Sequence, residues 1–385
     1  MICPHCHEDA RFVNYRKTTL TSLFGSVIYE RAYYHCKHCH QSHIPTDRQL
    51  HVENRKTLAA EELITLAGLL EPFEESAKRV LYKMSGLKTS TSTVQRVTEC
   101  VGEALAQRRS QEEVIGPEEN WNWKKDHESR SVAYVSLDAT GVRQQGPHAE
   151  KVDGRMSQVA AVFNQSAKPL KKKSQARLES VRYVSGLLSL PEIGRQLRRE
   201  CQSVGVANAD VVVALTDGGQ GLEDCLLDAL GGVAEEIVFV LDFYHVSEHI
   251  HEFLKEWIPD EERRTPVAAQ WCHLLKTTGG KSILNKLQEI DLSKTSAAVG
   301  ESHRLLTGYL QRNEHRTDYP AYLKRGWQIG SGVIESACKS VVGRRLKGTG
   351  MRWRERGTTA LCQLRALYRS DPHLWNHYWK QTIKT

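Results

Sequence analysis

No stretch of this 385-residue chain approaches the roughly 20 consecutive apolar residues that a membrane-spanning helix needs. The opening residues, MICPHCHEDA, also lack the basic-then-apolar pattern of a secretory signal, so the expected location is the cytoplasm. Neither sign of charge dominates. Lys and Arg number 53 against 46 Asp and Glu, a net charge of +7 that suits a polyanionic partner without demanding one. With hydrophobic residues at 40% and charged residues at 26%, the composition is that of a globular protein, long enough for two or three domains.

Cysteine is not scarce, and its placement is uneven. Cys3-Pro4-His5-Cys6 and Cys36-Lys37-His38-Cys39 form two CxxC pairs, while the other cysteines are scattered. In a cytosolic chain such pairs read as metal ligands before disulfides. Four thiolates around one ion make a closed tetrahedral Zn²⁺ site of the structural kind. Val27 to Tyr34 reads as a strand entering the second pair, so residues 1–50 are expected to form a zinc ribbon. So short a region could hardly build a core without metal. Six histidines (His5, His7, His35, His38, His40 and His43) crowd the cysteines; any of them could replace a thiolate, with surface or phosphate-facing roles favoured for most.

Residues 51–110 change to a helical period. Leu63, Leu66, Ala67 and Leu70 recur at helix spacing, and Ala77, Val80 and Leu81 mark a second helix. Ser85-Gly86-Leu87 breaks it. Thr89 to Ser92 offer N-caps for a third helix, with Val94, Val97 and Val101 inward and Gln95 and Arg96 outward. Two helices joined by a glycine turn suggest a helix-turn-helix that would place Arg96 on DNA; a plain helical bundle is the alternative. Residues 111–128, polar and acidic with Gly116-Pro117, read as a linker.

Residues 129–245 carry the chemistry. SVAYVSLDATGV is a strand that delivers Asp138 at its end. Met156 to Phe163 and Val181 to Val184 read as two further strands. The basic loop Lys168 to Arg177 between them is either solvated or turned to phosphates. A helix over 191–204 precedes a buried strand, Val211 to Leu215, that leads to Asp217 and the Gly218-Gly219 turn. Ile237 to Leu241 then leads to Asp242-Phe243-Tyr244-His245. Three strands, a helix, a strand, a helix and a strand is the element order of a ribonuclease H-like α/β core. Residues 246–325 read as an all-helical insertion with Trp257, Trp271, Leu274, Leu275, Ile283, Leu287, Leu305, Leu306 and Leu310 as its spine. In 326–385, Gly330-Ser331-Gly332 precedes Glu335 on an expected helix. Lys339, Arg344, Arg345, Lys347, Arg352, Arg354 and Arg356 follow, interleaved with Trp353. That cluster is the most nucleic-acid-like charge pattern in the chain, with a solvated helix face as its alternative. Trp353 is expected either to stack on an unpaired base or to sit in the core.

Single acids mean little among 46, but Asp138, Asp217 and Glu335 end apolar strands or start a helix in a meaningful order. Cutting or transferring a phosphodiester needs an attacking oxygen activated and a leaving oxygen stabilised. Two Mg²⁺ (or Mn²⁺) ions held by a few carboxylates do both.

The CPHC and CKHC pairs, STSTVQRV, LDATGV, TDGGQGL, LDFYHVSEH, GSGVIESACK, GTGMRWRERG and ALCQLRALYRS together resemble the Kra-type insertion-sequence transposases. These belong to the Mutator-like branch of the DDE (ribonuclease H-fold) transposases, and the likeness runs through nearly the whole chain. The resemblance implies metal-dependent cleavage and strand transfer at the inverted-repeat ends of an insertion sequence. It matches Asp138, Asp217 and Glu335 to the three metal-binding acids, and Asp242 and His245 to an accessory pair lining the site. Asp217 ranks first as second ligand on the glycine turn and strand order, with Asp242 as the alternative. Double-stranded transposon-end and target DNA are the implied partners, and holding two ends implies a homo-oligomer. A catalytically silent, transposon-derived DNA-binding protein is the competing reading. A phosphohydrolase of the haloacid dehalogenase type is disfavoured, because Thr140 stands where that chemistry wants a second Asp.

Overall fold

A computed structural model of the chain describes residues 1–50, 52, 55–165, 178–370 and 372–382. The basic loop Lys168–Arg177 lies outside these residues. Contacts divide the chain into two compact units, Met1–Leu105 with Asn376–Thr385, and Ala106–Trp375.

In the first unit, β1 (Ala10–Ser22) and β2 (Gly25–Cys36) form a long antiparallel ribbon, and β3 (Ser42–His43) pairs with the far end of β2. The ribbon is held at both ends. At one end Cys36 pairs with Ala10 beside the cysteine cluster. At the other, Thr21 exchanges backbone hydrogen bonds with Arg55 and Thr57. Helix Leu58–Leu70 starts where the Thr57 hydroxyl accepts the Ala60 amide. Its Ile64 and Ala67 pack with Ala77, Leu81, Leu87, Val94 and Val97. The intervening helical residues carry a π turn at Ser76–Val80 and end at Gly86, whose positive φ of 71° lets the chain reverse into helix Thr91–Ser110. Gln95 and Arg96 are exposed on that helix, as their spacing from the inward valines predicts.

The second unit holds a five-stranded mixed sheet of β4 (Val132–Gln145), β5 (Lys151–Gln165), β6 (Leu178–Gly186), β7 (Val211–Thr216) and β8 (Ile237–Leu241). The strand order is β6-β5-β4-β7-β8. β5 runs antiparallel to both its neighbours, whereas β4, β7 and β8 are mutually parallel. Alternation sorts the side chains. Ala133, Val135 and Leu137 of β4, with Val212 and Ala214 of β7, face a core closed by Ile193 and Leu197 of helix Leu190–Ser203 and Leu226 and Leu230 of helix Leu222–Leu230. Tyr134, Ser136 and Asp138 are directed to the opposite face.

Residues 111–128 form no helix or strand beyond a bridge at Lys125, yet they belong to this core. Trp123 is buried in it and donates its indole N–H to the Gly205 carbonyl at 3.0 Å, and the Trp121 amide bonds to Val204. After β8 the chain is helical through Phe243–Trp257, Glu261–Thr278, Gly280–Gln288, Ala297–Asn313 and Tyr319–Arg325. Phe253 stacks against Trp257 and Trp271 there, whereas Leu305 of the expected spine is exposed. Among the described residues no helix is long and apolar enough to cross a membrane.

Candidate acidic site and cysteine cluster

The register of the parallel strands aligns three acids. Ser136 of β4 pairs with Leu215 of β7, and Thr216 of β7 pairs with Leu241 of β8. Extending each by the same step brings Asp138, Asp217 and Asp242 to one level. Asp217 and Asp242 directly follow β7 and β8. Asp138, expected at a strand end, lies within β4, which runs on to Gln145 because its second half still pairs with β5. Parity directs all three to the sheet face away from the Leu137–Val212 core. Adjacent strands run about 5 Å apart, and the charge of Asp217 reaches Asp138.

Their surroundings differ. Asp138 is half-buried. Its Oδ1 accepts from the Ala139 amide at 2.6 Å, and its Oδ2 lies 3.4 Å from the Cys338 thiol. Burial raises its pKa, and the charge of Asp217 adds to this. The Ala139 amide, the Cys338 thiol and His245 pull the other way. Asp217 is half-buried, uses Oδ1 to accept the Gly219 amide at 2.8 Å, and has its carbonyl bonded by the Tyr309 hydroxyl at 2.8 Å. Asp242 is only 2% exposed, and both its oxygens are engaged. Oδ1 accepts the Tyr244 amide at 2.7 Å, capping helix Phe243–Trp257, and Oδ2 accepts from the Ser331 hydroxyl. That burial leaves Asp217 the more accessible of the two carboxylates, with Asp242 committed to its two hydrogen bonds.

Glu335 lies on helix Gly332–Ala337, which passes directly into a π turn, Cys338–Gly343. Cys338 is three residues beyond Glu335 and so on the same helix face; its contact with Asp138 brings that face to the acid row. Burial and the charges of Asp138 and Glu335 all push the Cys338 thiol well above its ordinary range. Glu335 itself is exposed, with Lys339 at 3.9 Å. His245 is half-buried on the first turn of its helix. Its Nδ1 lies 3.5 Å from Glu248, and its ring is 4.8 Å from that of His249, which in turn packs on Tyr309 at 4.5 Å. Cys338 is the residue that sequence reasoning passed over despite an available signal, the i, i+3 spacing from Glu335. Nothing local in the sequence marks Tyr309.

Among the described residues no Lys or Arg forms an ion pair with Asp138 or Asp217, and His245 is the cationic group whose charge reaches Asp138. Hard carboxylate oxygens there fit Mg²⁺ or Mn²⁺. The three acids do not, however, close to the mutual 4.8 Å that the four cysteines reach.

Those cysteines form the one tight ligand group among the described residues. Cys3, Cys6, Cys36 and Cys39 lie together and can hold a metal ion such as zinc. Each pair is followed by a residue in the left-handed region, His7 (φ 61°) and His40 (φ 58°), which turns the chain around the site. Burial raises the Cys3 thiol, but amide hydrogen bonds from Cys6 and His5 outweigh it and bring it down to about 7. At Cys36 the Cys39 amide is the largest influence and lowers the thiol. At Cys3 and Cys36 the amide donors aimed at sulfur favour thiolate, the form that binds metal. Burial instead raises the Cys39 thiol. At Cys6 the Glu8 amide is outweighed by burial and the neighbouring sulfurs, which push that thiol up to about 12. Of the nearby histidines, His43 comes closest, with Nε2 3.0 Å from Cys3 Sγ.

The basic segment divides by burial. Lys339, Arg344, Lys347, Arg354 and Arg356 are exposed, Arg352 is half-buried, and Lys347 reaches the Thr140 hydroxyl at 2.5 Å beside the acid row. Arg345 and Trp353 depart from the expectation of DNA contact. Arg345 is 1% and Trp353 8% exposed, the guanidinium stacked 4.9 Å over the indole. Trp353 also donates to the Leu346 carbonyl and exchanges backbone hydrogen bonds with β4 at Arg143 and Gln145. An indole fixed on all these sides cannot also stack on a base, so Trp353 is the core residue of the two alternatives. The chain matches no protein-family model and no curated protein sequence.

Proposed function

We propose that the chain is a DNA transposase that cuts and rejoins phosphodiester bonds at Asp138, Asp217 and Glu335 on a ribonuclease H-like core. The observation that carries this reading is the alignment of Asp138 and Asp217 at one level on one sheet face, with the Glu335 helix brought to them through Cys338. The strand order β6-β5-β4-β7-β8, with β5 alone antiparallel to its neighbours, supports the ribonuclease H-like core. The CxxC pairs and ribbon support a zinc ribbon ahead of it.

Asp138 and Asp217, with Glu335, would hold Mg²⁺ or Mn²⁺. When bound, such ions activate the attacking oxygen and stabilise the leaving one. The residues around them fix the carboxylates. The Ala139 and Gly219 amides each orient one oxygen, Tyr309 pins the backbone at Asp217, and Asp242 ties the helix bearing His245 to the Ser331 loop. Lys347 and Lys339 flank the site and would meet DNA phosphates. In cleavage, water oxygen forms a bond to phosphorus as the bridging oxygen leaves, freeing a 3′-hydroxyl. In transfer, that hydroxyl attacks a target phosphodiester in the same way.

The test is cleavage of DNA carrying the ends of the element by purified protein with Mg²⁺. Asp138→Ala, Asp217→Ala and Glu335→Gln should each lower cutting on the order of 100-fold or more, beyond what loss of an outer-shell partner costs. Intact cutting in any of the three overturns the triad. The wider spacing of the acids compared with the cysteines favours one second reading, a DNA-binding protein without catalysis. That reading predicts DNA binding indifferent to Mg²⁺ and no scission by the unaltered chain.

A further inference from the structure

The β1–β2 ribbon is exposed on both faces over most of its length. Residues 11–17 are all exposed, and their partners on β2 are at most half-buried. Apart from helix Pro45–Gln49, whose Asp47 meets Tyr29 and Arg31 of β2, little packs on the two strands, and such a pair is marginal in water. This pair persists because it is clamped, by the cysteine cluster at one end and by the Thr21 hydrogen bonds to Arg55 and Thr57 at the other. The result is a stiff rod of about 12 residue pairs, roughly 40 Å long at about 3.4 Å per residue. A ribbon held at both ends whose residues 11–17 stay exposed offers a surface to a partner.

The two faces differ in charge, and the difference selects the occupant. Directly paired residues share a face, so the register sorts them, with a bulge at Val13. One face carries Phe12, Tyr15, Tyr34 and Ile28, and its charges cancel, because Lys17 lies 3.5 Å from Glu30. The other face carries Arg11, Asn14, Arg16, Tyr33 and His35. Arg31 on that face is already paired with Asp47. Among the described residues Arg11 and Arg16 have no carboxylate partner. Arg16 is nonetheless held in place, its guanidinium 3.4 Å over the Tyr33 ring and its Nε–H donating to the Asn14 side-chain Oδ1 at 3.3 Å. An arginine whose side-chain entropy is already spent on an aromatic stack, and whose charge is not neutralised, suits a phosphate or a base edge. A two-stranded ribbon is also narrow enough for the major groove, about 12 Å wide.

We propose that the β1–β2 ribbon is a duplex-DNA contact, laid on the DNA by the face that carries Arg11 and Arg16. This rests on the reading of the chain as a DNA-acting protein, not on its catalysis.

The experiment uses the full-length, zinc-loaded protein and a fluorescein-labelled 30-bp duplex of mixed sequence. Anisotropy is read between about 50 and 300 mM KCl without added Mg²⁺, so that a failure of the cleavage test leaves this measurement intact. Arg11→Ser with Arg16→Ser should weaken binding by about tenfold or more and flatten the log–log salt slope by about 1.8, the value for two lost phosphate contacts. Phe12→Ser with Tyr15→Ser, on the opposite face, should leave the slope unchanged. An unchanged slope in the arginine variant overturns the proposal. So does an equal loss in the aromatic variant, or a loss of self-association in the arginine variant with DNA binding kept, which would assign the face to a second copy. Should the arginine variant lose its zinc, Arg11→Lys with Arg16→Lys decides. A salt slope kept supports the contact, and one lost with zinc retained overturns it.

Discussion

Asp138 concentrates the cost of the candidate site in one side chain. Burial and the neighbouring Asp217 raise its pKa above the ordinary Asp value of 3.8. A folded-state pKa above the unfolded one means that folding favours the protonated form. Any stability Asp138 contributes is therefore present at low pH and is lost as pH rises through its folded pKa. At neutral pH without Mg²⁺, the ionised carboxylate works against the fold. Asp138→Asn should then raise the thermal midpoint of the Mg²⁺-free protein at pH 7, and the gain should vanish below about pH 3, where both side chains are neutral. Added Mg²⁺ should raise the midpoint of the unaltered protein and not that of the variant. A lower midpoint in the variant at pH 7 would mean that the carboxylate is satisfied by the protein alone and waits for no cation. At this scale the sequence was informative where a residue sits at the end of an apolar run, as Asp138 and Asp217 do. It misled where charge was counted without direction. Arg345 and Trp353 lie in the same basic stretch as Lys347, but Arg345 sits on the inward side of a short helix and Trp353 bridges to β4, and composition does not say which residues turn inward.

Helix Phe243–Trp257 shows how an element can hold a site without touching the chemistry. Asp242 caps it, and the same carboxylate receives the Ser331 hydroxyl, tying the helix that bears His245 to the loop ahead of Glu335. The fit is close, since a Cβ on Gly330 would come 2.5 Å from the Tyr244 ring. Asp242→Ala removes the cap and leaves a buried hydroxyl unpaired. It should destabilise the protein by about 1–3 kcal/mol in urea unfolding. Asp242→Asn keeps an acceptor for the Tyr244 amide, so it should lose less and retain Mg²⁺-dependent cutting to within about tenfold, as an outer-shell change does. If instead the Asn variant folds fully and is as inactive as Asp217→Ala, Asp242 is a metal ligand. Legibility varied by element for related reasons. β8 was read to its ends because five apolar residues stand between Glu236 and Asp242. β5 starts five residues earlier than Met156, because Lys151 to Arg155 pair with β4 beyond the buried sheet and so carry no apolar signal. In 111–128 the acidic residues outvoted Trp121 and Trp123, the two that anchor the segment to the core.

At the scale of the whole chain, its two units depend on different forces. Ala106–Trp375 encloses an apolar core between sheet and helices and can rely on burial. The ribbon of Met1–Leu105 has bare faces, and its core at the cysteine end amounts to Cys3, Ala10 and Cys36 with Cys6, Tyr34 and Cys39 packed around them. Burial that small offsets little of the entropy of ordering two long strands. Metal bound by four thiolates contributes on the order of 10 kcal/mol to comparable small sites, enough to decide whether the ribbon forms. Stripping the metal with a chelator, or Cys36→Ser, should therefore raise amide hydrogen exchange across β1 and β2 by orders of magnitude, while β4 and β7 keep their protection. DNA affinity should fall in the same titration if the ribbon carries the contact proposed for it. Protection of β1 and β2 that survives verified metal loss would show that Thr21 and its partners suffice as the clamp, and the CxxC pairs would then need another explanation than holding the ribbon.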